Sequence, residues 1–231
     1  MTATHPKCFV QLHGKPLVQW QVEALNAAGI GEIGIVRGYL ADFWDRQGLP
    51  VSRFFTNGRW QRTNMVASLA CAGEWLAEAP CLVSYTDIVY GSGTVRRLMA
   101  APGEIAITYD PDWLRLWSRR FADPLDDAET FGVDAGGRLI TIGARPKSLD
   151  EVQGQYMGLL RITPAGWKMV VGYVAGLSPE DADRLDMTGL LSRLLKLGVE
   201  IYAVPAAGPW CEVDQQSDLA VAESIFAVGE G

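Results

Sequence analysis

The sequence predicts an α/β protein built around one mostly parallel, open sheet flanked by helices. Its 231 residues are 48% hydrophobic, which is enough for one sizeable core. Runs with the period of a strand alternate with runs that have the period of a helix. This alternation is typical of a parallel sheet covered by helices, so we expect a single domain over residues 1–231.

The first half of the chain alternates clearly between the two periods. Residues 8–12 have the period of a strand, and residues 16–30 have that of a helix. A second, amphipathic helix is predicted over 63–79, with Thr63 or Asn64 as its N-cap. Short β-rich runs predict further strands at 32–39, 52–57 and 80–90.

The second half opens with a strand at 104–110 that ends in an acid. Periodicity is lost over 110–130, where the aromatic and charged composition predicts an excursion across the open end of the sheet. Because paired glycines supply the positive φ angles of hairpin turns, Gly136 and Gly137 predict a hairpin over 130–146. The remaining elements are a strand at 156–167, a helix at 187–198, strands within 200–214 and a capped helix from about residue 217.

The charge of the chain excludes some classes of partner. A net charge of −7 and a pI near 4.9 are unsuited to a surface that holds a nucleic-acid backbone. No stretch reaches the ~18 apolar residues of a membrane helix, and the N-terminus lacks the regions of a signal peptide. We expect a cytoplasmic protein without a nucleic-acid or membrane partner.

The cysteines give no sign of a metal site. Neither CxxC spacing nor a zinc-binding set with His5 and His13 is present. We expect buried free thiols in a reducing compartment. The residues concerned are Cys8, Cys71, Cys81 and Cys211.

Two aspartates follow apolar strands. In an open parallel sheet, ligands bind beyond the carboxyl ends of the strands, where Asp87 and Asp214 are expected to lie. Each could offer an oxygen ligand to Mg²⁺, which takes one or two protein carboxylates. An aspartate at a strand end also commonly caps a turn or helix, so both interpretations stay open.

Other candidates also have two interpretations. Lys7 precedes a strand and by itself reads as a solvated charge. Asn64 and Ser68 lie four residues apart on one helical face, which suits ligand contacts, capping or packing. Aromatic and acidic side chains alternate in one cluster, which could hold an ammonium group by cation–π and Coulomb attraction or belong to the core. Its members are Tyr109, Asp110, Asp112, Trp113 and Trp117.

Seven segments of the chain together carry a resemblance to a known family. They are, in order, PKCFVQLHGKPLVQWQVEALNAAGI, EIGIVRGY, TNMVASL, LVSYTDIVY, ADPLDDAET, GQYMGLLRITPAGW and WCEVDQQSDLAVAE. In this order they resemble the sugar-nucleotidyltransferase-like cytidylyltransferases, most of all the branch with bacterial phosphocholine and 2-aminoethylphosphonate cytidylyltransferases. The resemblance covers the chain from Pro6 to about Glu223 and implies a Rossmann-like nucleotidyltransferase domain of GT-A type.

The resemblance also implies roles for residues. Lys7 matches the lysine that neutralises phosphate charge, while Asp87 and Asp214 match the carboxylates that hold catalytic Mg²⁺. Asn64 and Ser68 match positions on the nucleotide side of the cleft. The stretch from Asp110 to Trp117, with Asp112 and Trp113, resembles the segment that faces the acceptor's amine, within an excursion expected over about 110–130. Weaker candidates for the same pocket are Arg120, Glu129 and Tyr156.

The implied reaction is attack of a phosphate or phosphonate oxygen on the α-phosphorus of CTP, with release of pyrophosphate. Because this nucleophile is already anionic near neutral pH, no general base is required. The acceptor would be a small amine-bearing phosphate or phosphonate.

The family pattern normally places a first strand and a glycine-rich loop of the form LAAGxGxR ahead of Lys7. Residues 1–7, MTATHPK, resemble only the end of that loop, so we expect a chain that enters the domain late. This feature leaves open a catalytically silent relative that binds a nucleotide or amine, or serves in an assembly. A sugar-1-phosphate nucleotidyltransferase is a further alternative, and a homodimer is possible.

Overall fold

The computed structural model describes residues 4–226. Within that range, the α-helices are α1 Leu17–Ala27, α2 Met65–Ala70, α3 Gly73–Glu78, α4 Ser92–Met99, α5 Trp113–Arg120, α6 Pro164–Ala175, α7 Pro179–Arg184, α8 Met187–Lys196 and α9 Gln216–Ile225. The strands are β1 Gln11–Leu12, β2 Lys15–Pro16, β3 Gly34–Arg37, β4 Arg53–Thr56, β5 Cys81–Ser84, β6 Ile88–Tyr90, β7 Ile105–Asp110, β8 Phe131–Val133, β9 Leu139–Ile142, β10 Gln155–Ile162, β11 Ile201–Pro205 and β12 Trp210–Glu212.

The central sheet has four strands in the order β11-β7-β10-β5. β11 and β7 are parallel, whereas β10 runs antiparallel to both β7 and β5. β3 and β4 form a separate parallel pair. The α/β sheet flanked by helices is confirmed, but its pairing is mixed rather than mostly parallel. An apolar, buried strand such as β10 has the same residue pattern in either direction, so composition did not reveal this.

Helices cover both faces of the central sheet and form two large hydrophobic clusters. One cluster includes side chains from α1, α4, α5 and α9, such as Leu17, Leu98, Trp117 and Val221. The other includes side chains from α2, α3, α6 and α8, such as Val66, Leu76, Trp167 and Leu190. A third, smaller cluster surrounds Cys8, Phe9 and Trp44 beside the β3–β4 pair.

Three predicted elements are divided in the structure. The strand expected at 8–12 is a 3₁₀ turn, Lys7–Phe9, followed by the two-residue strand β1. The helix expected at 63–79 is interrupted between α2 and α3. The strand expected at 80–90 is interrupted between β5 and β6, so Asp87 lies in a loop at the edge of the sheet.

The predicted excursion at 110–130 contains a regular helix, α5. Its residues 113, 116, 117 and 120 are buried, which is the spacing of one helical face. Charged residues on the opposite face obscured this period in the sequence. The strand expected at 156–167 ends at Ile162, because Thr163 caps α6 by accepting a hydrogen bond from the Gly166 N–H.

The hairpin predicted over 130–146 is confirmed by the pairing of β8 with β9, and Gly137 has a φ of 76° in its turn. All four cysteines are free. Cys8 and Cys211 are buried as expected, Cys81 is only partly buried, and Cys71 is exposed because it lies in the turn between α2 and α3. No helix within residues 4–226 combines the length and apolar character needed to cross a membrane.

Candidate active site

An antiparallel strand pair brings three carboxylates together. Glu212 at the end of β12 lies opposite Ile88 of β6, and the Val213 N–H donates to the Asp87 carbonyl over 2.8 Å. Val213 is fully buried. Successive side chains of an extended chain point to opposite sides. Since Val213 points into the hydrophobic core, Glu212 and Asp214 both point away from it, beside Asp87.

A buried glutamine fixes the loop that carries Asp87. The side-chain Nε2 of Gln21, on α1, donates to the Tyr85 carbonyl over 2.8 Å and to the Ile88 carbonyl over 2.6 Å. Gln21 is only 5% exposed, so these bonds do not compete with solvent. They hold both ends of the loop against α1 and keep the Asp87 carboxylate in place.

Lys7 reaches the carboxylates from the N-terminal 3₁₀ turn. The turn is anchored by Phe9, whose ring centroid lies 4.9 Å from that of Phe43 in an edge contact. The Lys7 Nζ donates to Asp87 Oδ2 over 2.9 Å and to Asp214 Oδ1. Burial alone would lower the pKa of Lys7, but the charges and hydrogen bonds of the two aspartates outweigh it and raise the pKa.

Arg120 approaches the same carboxylates from within the protein. Its side chain has no solvent exposure and donates to Glu212 Oε2 over 2.9 Å and to Asp214 Oδ2 over 3.4 Å. It also binds both oxygens of Asp218 at 3.2 Å. Burial lowers the pKa of Arg120, yet its carboxylate partners raise it overall.

Asp218 links this arginine to the backbone. It is fully buried at the start of α9, where it takes part in a capping box with Gln215. Its Oδ2 accepts hydrogen bonds from the N–H groups of Asp214, at 2.9 Å, and Gln215, at 3.1 Å. The turn that presents Asp214 is therefore fixed by a buried carboxylate.

The charges of this site suit a divalent cation. Four carboxylates, those of Asp87, Glu212, Asp214 and Asp218, face the two cations Lys7 and Arg120, which leaves an excess of two negative charges when all are ionised. Burial, followed by the charge of Asp214, raises the pKa of Glu212 to about 7. Protonation of Glu212 thus reduces the excess charge.

The geometry agrees with the charge. One oxygen from each of Asp87, Glu212 and Asp214 lies within 4.8 Å of the others. Asp87 Oδ1 is buried and has no hydrogen-bond partner within residues 4–226. A buried polar atom without a partner is costly unless a ligand satisfies it. Three carboxylate oxygens are the donor type that Mg²⁺ and similar hard cations prefer.

Glu129 and Tyr156, predicted for the acceptor pocket, lie close together, and Tyr156 forms a ring pair with Tyr85. The Gln155 side chain holds the Glu129 backbone by bonds of 2.7 and 3.2 Å, and Glu129 Oε1 accepts from Thr188 Oγ1 over 3.3 Å. The rings of Tyr85 and Tyr156 meet edge to face at 5.9 Å. Burial, then the neighbouring carboxylates, raises the pKa of Glu129 despite the Thr188 bond.

A glycine makes room for this tyrosine pair. Gly158 has a φ of 74°, and a Cβ built there would lie 2.6 Å from the Tyr85 ring. Any side chain at 158 would therefore displace Tyr85. The β10–β7 register also shifts between Tyr156 and Leu160, in the part of β10 that contains Gly158.

The two tryptophans predicted for amine binding are core residues. Trp113 is 4% exposed and its Nε1 donates to the Val152 carbonyl over 3.1 Å. Trp117 is 3% exposed, and its ring packs against Trp210 and beneath the Arg120 guanidinium. Both indole rings are enclosed by protein, because α5 turns this face toward the sheet.

The two aspartates of the same stretch differ in environment. Asp110 is buried and accepts hydrogen bonds from Trp210 Nε1 and from the Asp112 N–H, each at 2.8 Å. Asp112 is exposed at the N-terminus of α5 and makes no side-chain capping bond there. Asp110 thus has structural partners, whereas Asp112 faces solvent.

Asn64 and Ser68 belong to a separate cluster beyond the carboxyl end of β4. Asn64 caps α2 by accepting from the Met65 N–H over 2.8 Å, as the capping interpretation predicts. The Nδ2 of Asn57 donates to Ser68 Oγ and Thr63 Oγ1, each over 2.9 Å. Asn57 is thus the organising residue of this cluster, and it was missed in the sequence.

Two open clefts lie beside the N-terminal turn and share Phe43 as a wall. One, of about 520 Å³, is also lined by His5, Phe9 and Gln216. The other, of about 640 Å³, lies at the carboxyl end of β3 and includes Gly38 and Arg46. Both volumes are in the range of small-molecule sites.

Three further residues of the site were missed in the sequence. Glu212 and Asp214 alternate with buried Val213 in WCEVD, and this strand pattern was the signal that Glu212 faces the same way as Asp214. Gln21 carried no such signal, because its partners Tyr85 and Ile88 are distant in sequence. Asp218 could be read locally as a helix-capping residue, but its pairing with Arg120 joins residues 98 apart.

Comparison with known proteins identifies the family. Residues 1–154, two thirds of the chain, match the family described as the MobA-like NTP transferase domain. The chain belongs to this family. The predicted nucleotidyltransferase is thereby confirmed.

Curated relatives extend the match beyond that domain. A CTP:phosphoglutamine cytidylyltransferase of Campylobacter jejuni is 34% identical over 96% of this chain and 92% of its own. A 2-aminoethylphosphonate cytidylyltransferase of Lancefieldella rimae is 23% identical over 62% of this chain and 54% of its own. A choline-phosphate cytidylyltransferase of Streptococcus pneumoniae is 44% identical over 20% of each chain. The resemblance to cytidylyltransferases is confirmed.

Solved structures show the fold. The structure of an inositol-1-phosphate CTP transferase from T. maritima has a TM-score of 0.75 at 15% identity, over 100% of this chain and 91% of its own. A protein from Bacillus anthracis, described as a glucose-1-phosphate thymidylyltransferase, has a TM-score of 0.75 at 16% identity, over 97% and 88%. At such identity the likeness concerns architecture alone.

Proposed function

We propose that the protein is a cytidylyltransferase that transfers CMP from CTP to a small amine-bearing phosphate or phosphonate, with Mg²⁺ and release of pyrophosphate. The observation that carries this proposal is the convergence of Lys7 with Asp87, Glu212 and Asp214 in a family of nucleotidyltransferases. The three curated relatives use phosphoglutamine, choline phosphate and 2-aminoethylphosphonate. These acceptors share a phosphate or phosphonate group and a cationic nitrogen.

Asp87, Glu212 and Asp214 would hold the ion, which supplies charge neutralisation for the triphosphate and for the acceptor's phosphoryl group. Lys7 would then release the aspartates and donate from Nζ to phosphate oxygens. Its raised pKa keeps this amine protonated at neutral pH. Arg120 stays buried beneath the carboxylates and keeps them in place.

The reaction needs little proton transfer. An acceptor oxygen attacks the α-phosphorus of CTP, a new P–O bond forms, and the bond from the α-phosphorus to the bridging oxygen of pyrophosphate breaks. Because the attacking oxygen is already anionic, the protein's part is to position two anions and to cancel their repulsion. Lys7 provides the cationic donor for this purpose.

The nucleotide would occupy the side of the cleft formed by the carboxyl ends of β3 and β4. Asn64 and Ser68 are the proposed contacts, held by Asn57. The cleft that includes Gly38 and Arg46 adjoins the same strand ends and has the size of a small-molecule site. Side-chain amides and hydroxyls of this kind suit recognition of a base or ribose.

The acceptor's amine would lie on the side of Glu129 and Tyr156. Asp127 and Asp186 add negative charge close to Glu129. Among residues 4–226, no ion pair joins these three carboxylates to a cationic side chain. With the tyrosine pair they form an environment suited to an ammonium group. Trp113 and Trp117 are left out because their rings are enclosed in the core.

The test is a turnover assay with CTP, Mg²⁺ and a panel of phosphocholine, 2-aminoethylphosphonate and phosphoglutamine, with pyrophosphate and the CDP-linked product both measured. We expect product with at least one acceptor, and loss of product in Asp87→Asn but not in Asp150→Asn, a control at an exposed aspartate with no assigned part in the site. Binding of CTP by calorimetry without product from any acceptor would overturn the proposal in favour of a silent relative.

A further inference from the structure

A fully buried arginine lies beneath the proposed metal ligands. Arg120 has a side-chain exposure of 0%, and an ion at such a depth is tolerated only when it is paired and hydrogen-bonded. Its Nε and Nη2 bind the two oxygens of Asp218, each at 3.2 Å, as a fork. Its Nη1 and Nη2 also reach Glu212 and Asp214.

We propose that Arg120, held by Asp218, is a positioning residue for the metal site: it orients Glu212 and Asp214 and keeps their charges together for the cation. This inference rests on the proposed metal-dependent transfer. Arg120 acts through the carboxylates and does not contact the reacting atoms. The acceptor role expected for it from the sequence is therefore replaced.

The hydrogen bonds divide the carboxylate oxygens into two sets. Arg120 binds Oε2 of Glu212 and Oδ2 of Asp214 on the inner side of the site. Lys7 binds Oδ1 of Asp214 on the other side. One oxygen from each of Asp87, Glu212 and Asp214 lies within 4.8 Å of the others, and Arg120 fixes the orientation of the two acids that it binds.

Charge gives Arg120 a second role. Its guanidinium lies 2.9 Å from Glu212 Oε2 and 3.4 Å from Asp214 Oδ2, so it is the counter-charge that both acids share. Without it, repulsion between the two carboxylates would move them apart, and their oxygens would no longer converge for a cation.

Asp218 gives the arrangement its rigidity. The same carboxylate that binds the Arg120 fork accepts the backbone N–H of Asp214. Arg120, Asp218 and the Asp214 backbone thus form one closed network. On the other side, the rings of Trp117 and Phe121 lie 5.1 and 5.0 Å from the guanidinium carbon. The core position of Trp117 is explained by this packing on Arg120.

The experiment measures Mn²⁺ binding to the metal-free protein, with free Mn²⁺ followed by EPR, so that no turnover is required. The variants are Arg120→Gln, Arg120→Lys and Asp218→Asn. The matched control is Arg119→Lys, at an adjacent exposed position on α5 whose side chain binds Ser224. We expect Mn²⁺ affinity to fall about 10- to 100-fold in Arg120→Gln and Asp218→Asn, the usual effect of losing a partner of a metal ligand.

Arg120→Lys keeps the charge but loses the fork, so it should recover only part of the affinity. Arg119→Lys should bind Mn²⁺ as the wild type does. Circular dichroism establishes which variants are folded, and if Arg120→Gln is not, Arg120→Lys and Asp218→Asn decide. Mn²⁺ affinity within twofold of wild type in the folded variants would overturn the inference, as would full recovery in Arg120→Lys.

A kinetic readout separates this inference from the proposed function. In an active enzyme, the variants should need more Mg²⁺ for half-maximal rate, while KM for the acceptor changes less than about twofold. If the wild type makes no product with any acceptor but the variants still lose Mn²⁺, the proposed function fails and the positioning role stands. If turnover is present and the Mg²⁺ requirement is unchanged, the positioning role fails alone.

Discussion

Replacing Glu212 by glutamine should change the pH dependence of cation binding. In the metal-free protein, the Glu212 carboxyl has a pKa of about 7 instead of the ordinary 4.5, because it is buried and faces Asp214. A cation must therefore displace a proton from Glu212 below pH 7. Glutamine keeps the size and the hydrogen-bonding oxygen but has no such proton.

The magnitude follows from this pKa. Below pH 7 the apparent affinity of the wild type for Mn²⁺ should fall about tenfold for each pH unit, and above pH 8 it should be level. The raised pKa of Glu212 also sets the direction in which the free energy of unfolding changes with pH. Between about 4.5 and 7, folded Glu212 binds more protons than the unfolded residue, so stability of the metal-free protein falls as pH rises. The total effect is on the order of 3 kcal/mol.

The assay is Mn²⁺ titration at pH 5.5, 6.5, 7.5 and 8.5, with urea unfolding of the metal-free protein at the same pH values. Glu212→Gln should bind Mn²⁺ more weakly than the wild type at pH 8.5, and its Mn²⁺ affinity should depend less on pH. Its free energy of unfolding should not fall as the pH rises from about 5.5 to 7.5. The control is Glu200→Gln, an exposed glutamate paired with Arg138. An equal slope in wild type and Glu212→Gln would refute the reasoning.

Three further substitutions test other parts of the account. Lys7→Met should lower kcat about 10²- to 10³-fold, because the donor to the phosphate oxygens is lost. Without nucleotide, the same variant should bind Mn²⁺ about fivefold more tightly, because no ammonium group pairs with Asp87 and Asp214. Weaker Mn²⁺ binding by Lys7→Met would contradict the proposed role of Lys7. Glu129→Gln should raise KM for the amine acceptor about tenfold and leave KM for CTP within twofold, so equal changes in both constants would exclude an acceptor role. Trp117→Ala should lose about 3–5 kcal/mol of stability in urea unfolding, since its ring is 3% exposed, whereas a cost below 1 kcal/mol would contradict a core position.

The sequence predicted the residues of the site better than their partners. Lys7, Asp87 and Asp214 were predicted to lie together because their motifs resemble a family in which they meet, and the structure brings the three side chains together. Glu212 was missed although it lies two residues from Asp214. Its role depends on the β6–β12 pairing, which joins segments more than 100 residues apart.

Composition led to a wrong interpretation of α5, a helix that has both charged residues and buried aromatic residues. Trp113, Trp117 and Arg120 were predicted to face an acceptor, because aromatic and charged residues together suit an amine. Their spacing of four and three residues puts them on one buried face instead. The charge of Arg120 is balanced by Asp218, 98 residues away, and no local pattern could predict that pair.

The direction of the strands in the central sheet could not be predicted for a similar reason. Buried strands such as β7 and β10 are apolar on both faces, so their residues predict a strand but not its direction. In the structure, β10 lies between β7 and β5 and runs antiparallel to both, a pairing that depends on partners distant in sequence.

The most direct test of the account is a crystal structure of the protein with Mn²⁺ and a non-hydrolysable CTP analogue, with the metal located by anomalous scattering. The account predicts an anomalous peak bound by Asp87, Glu212 and Asp214, with the Lys7 Nζ moved from the aspartates to a phosphate oxygen. A peak at another place, or phosphates bound while Lys7 keeps its contacts with Asp87 and Asp214, would contradict it.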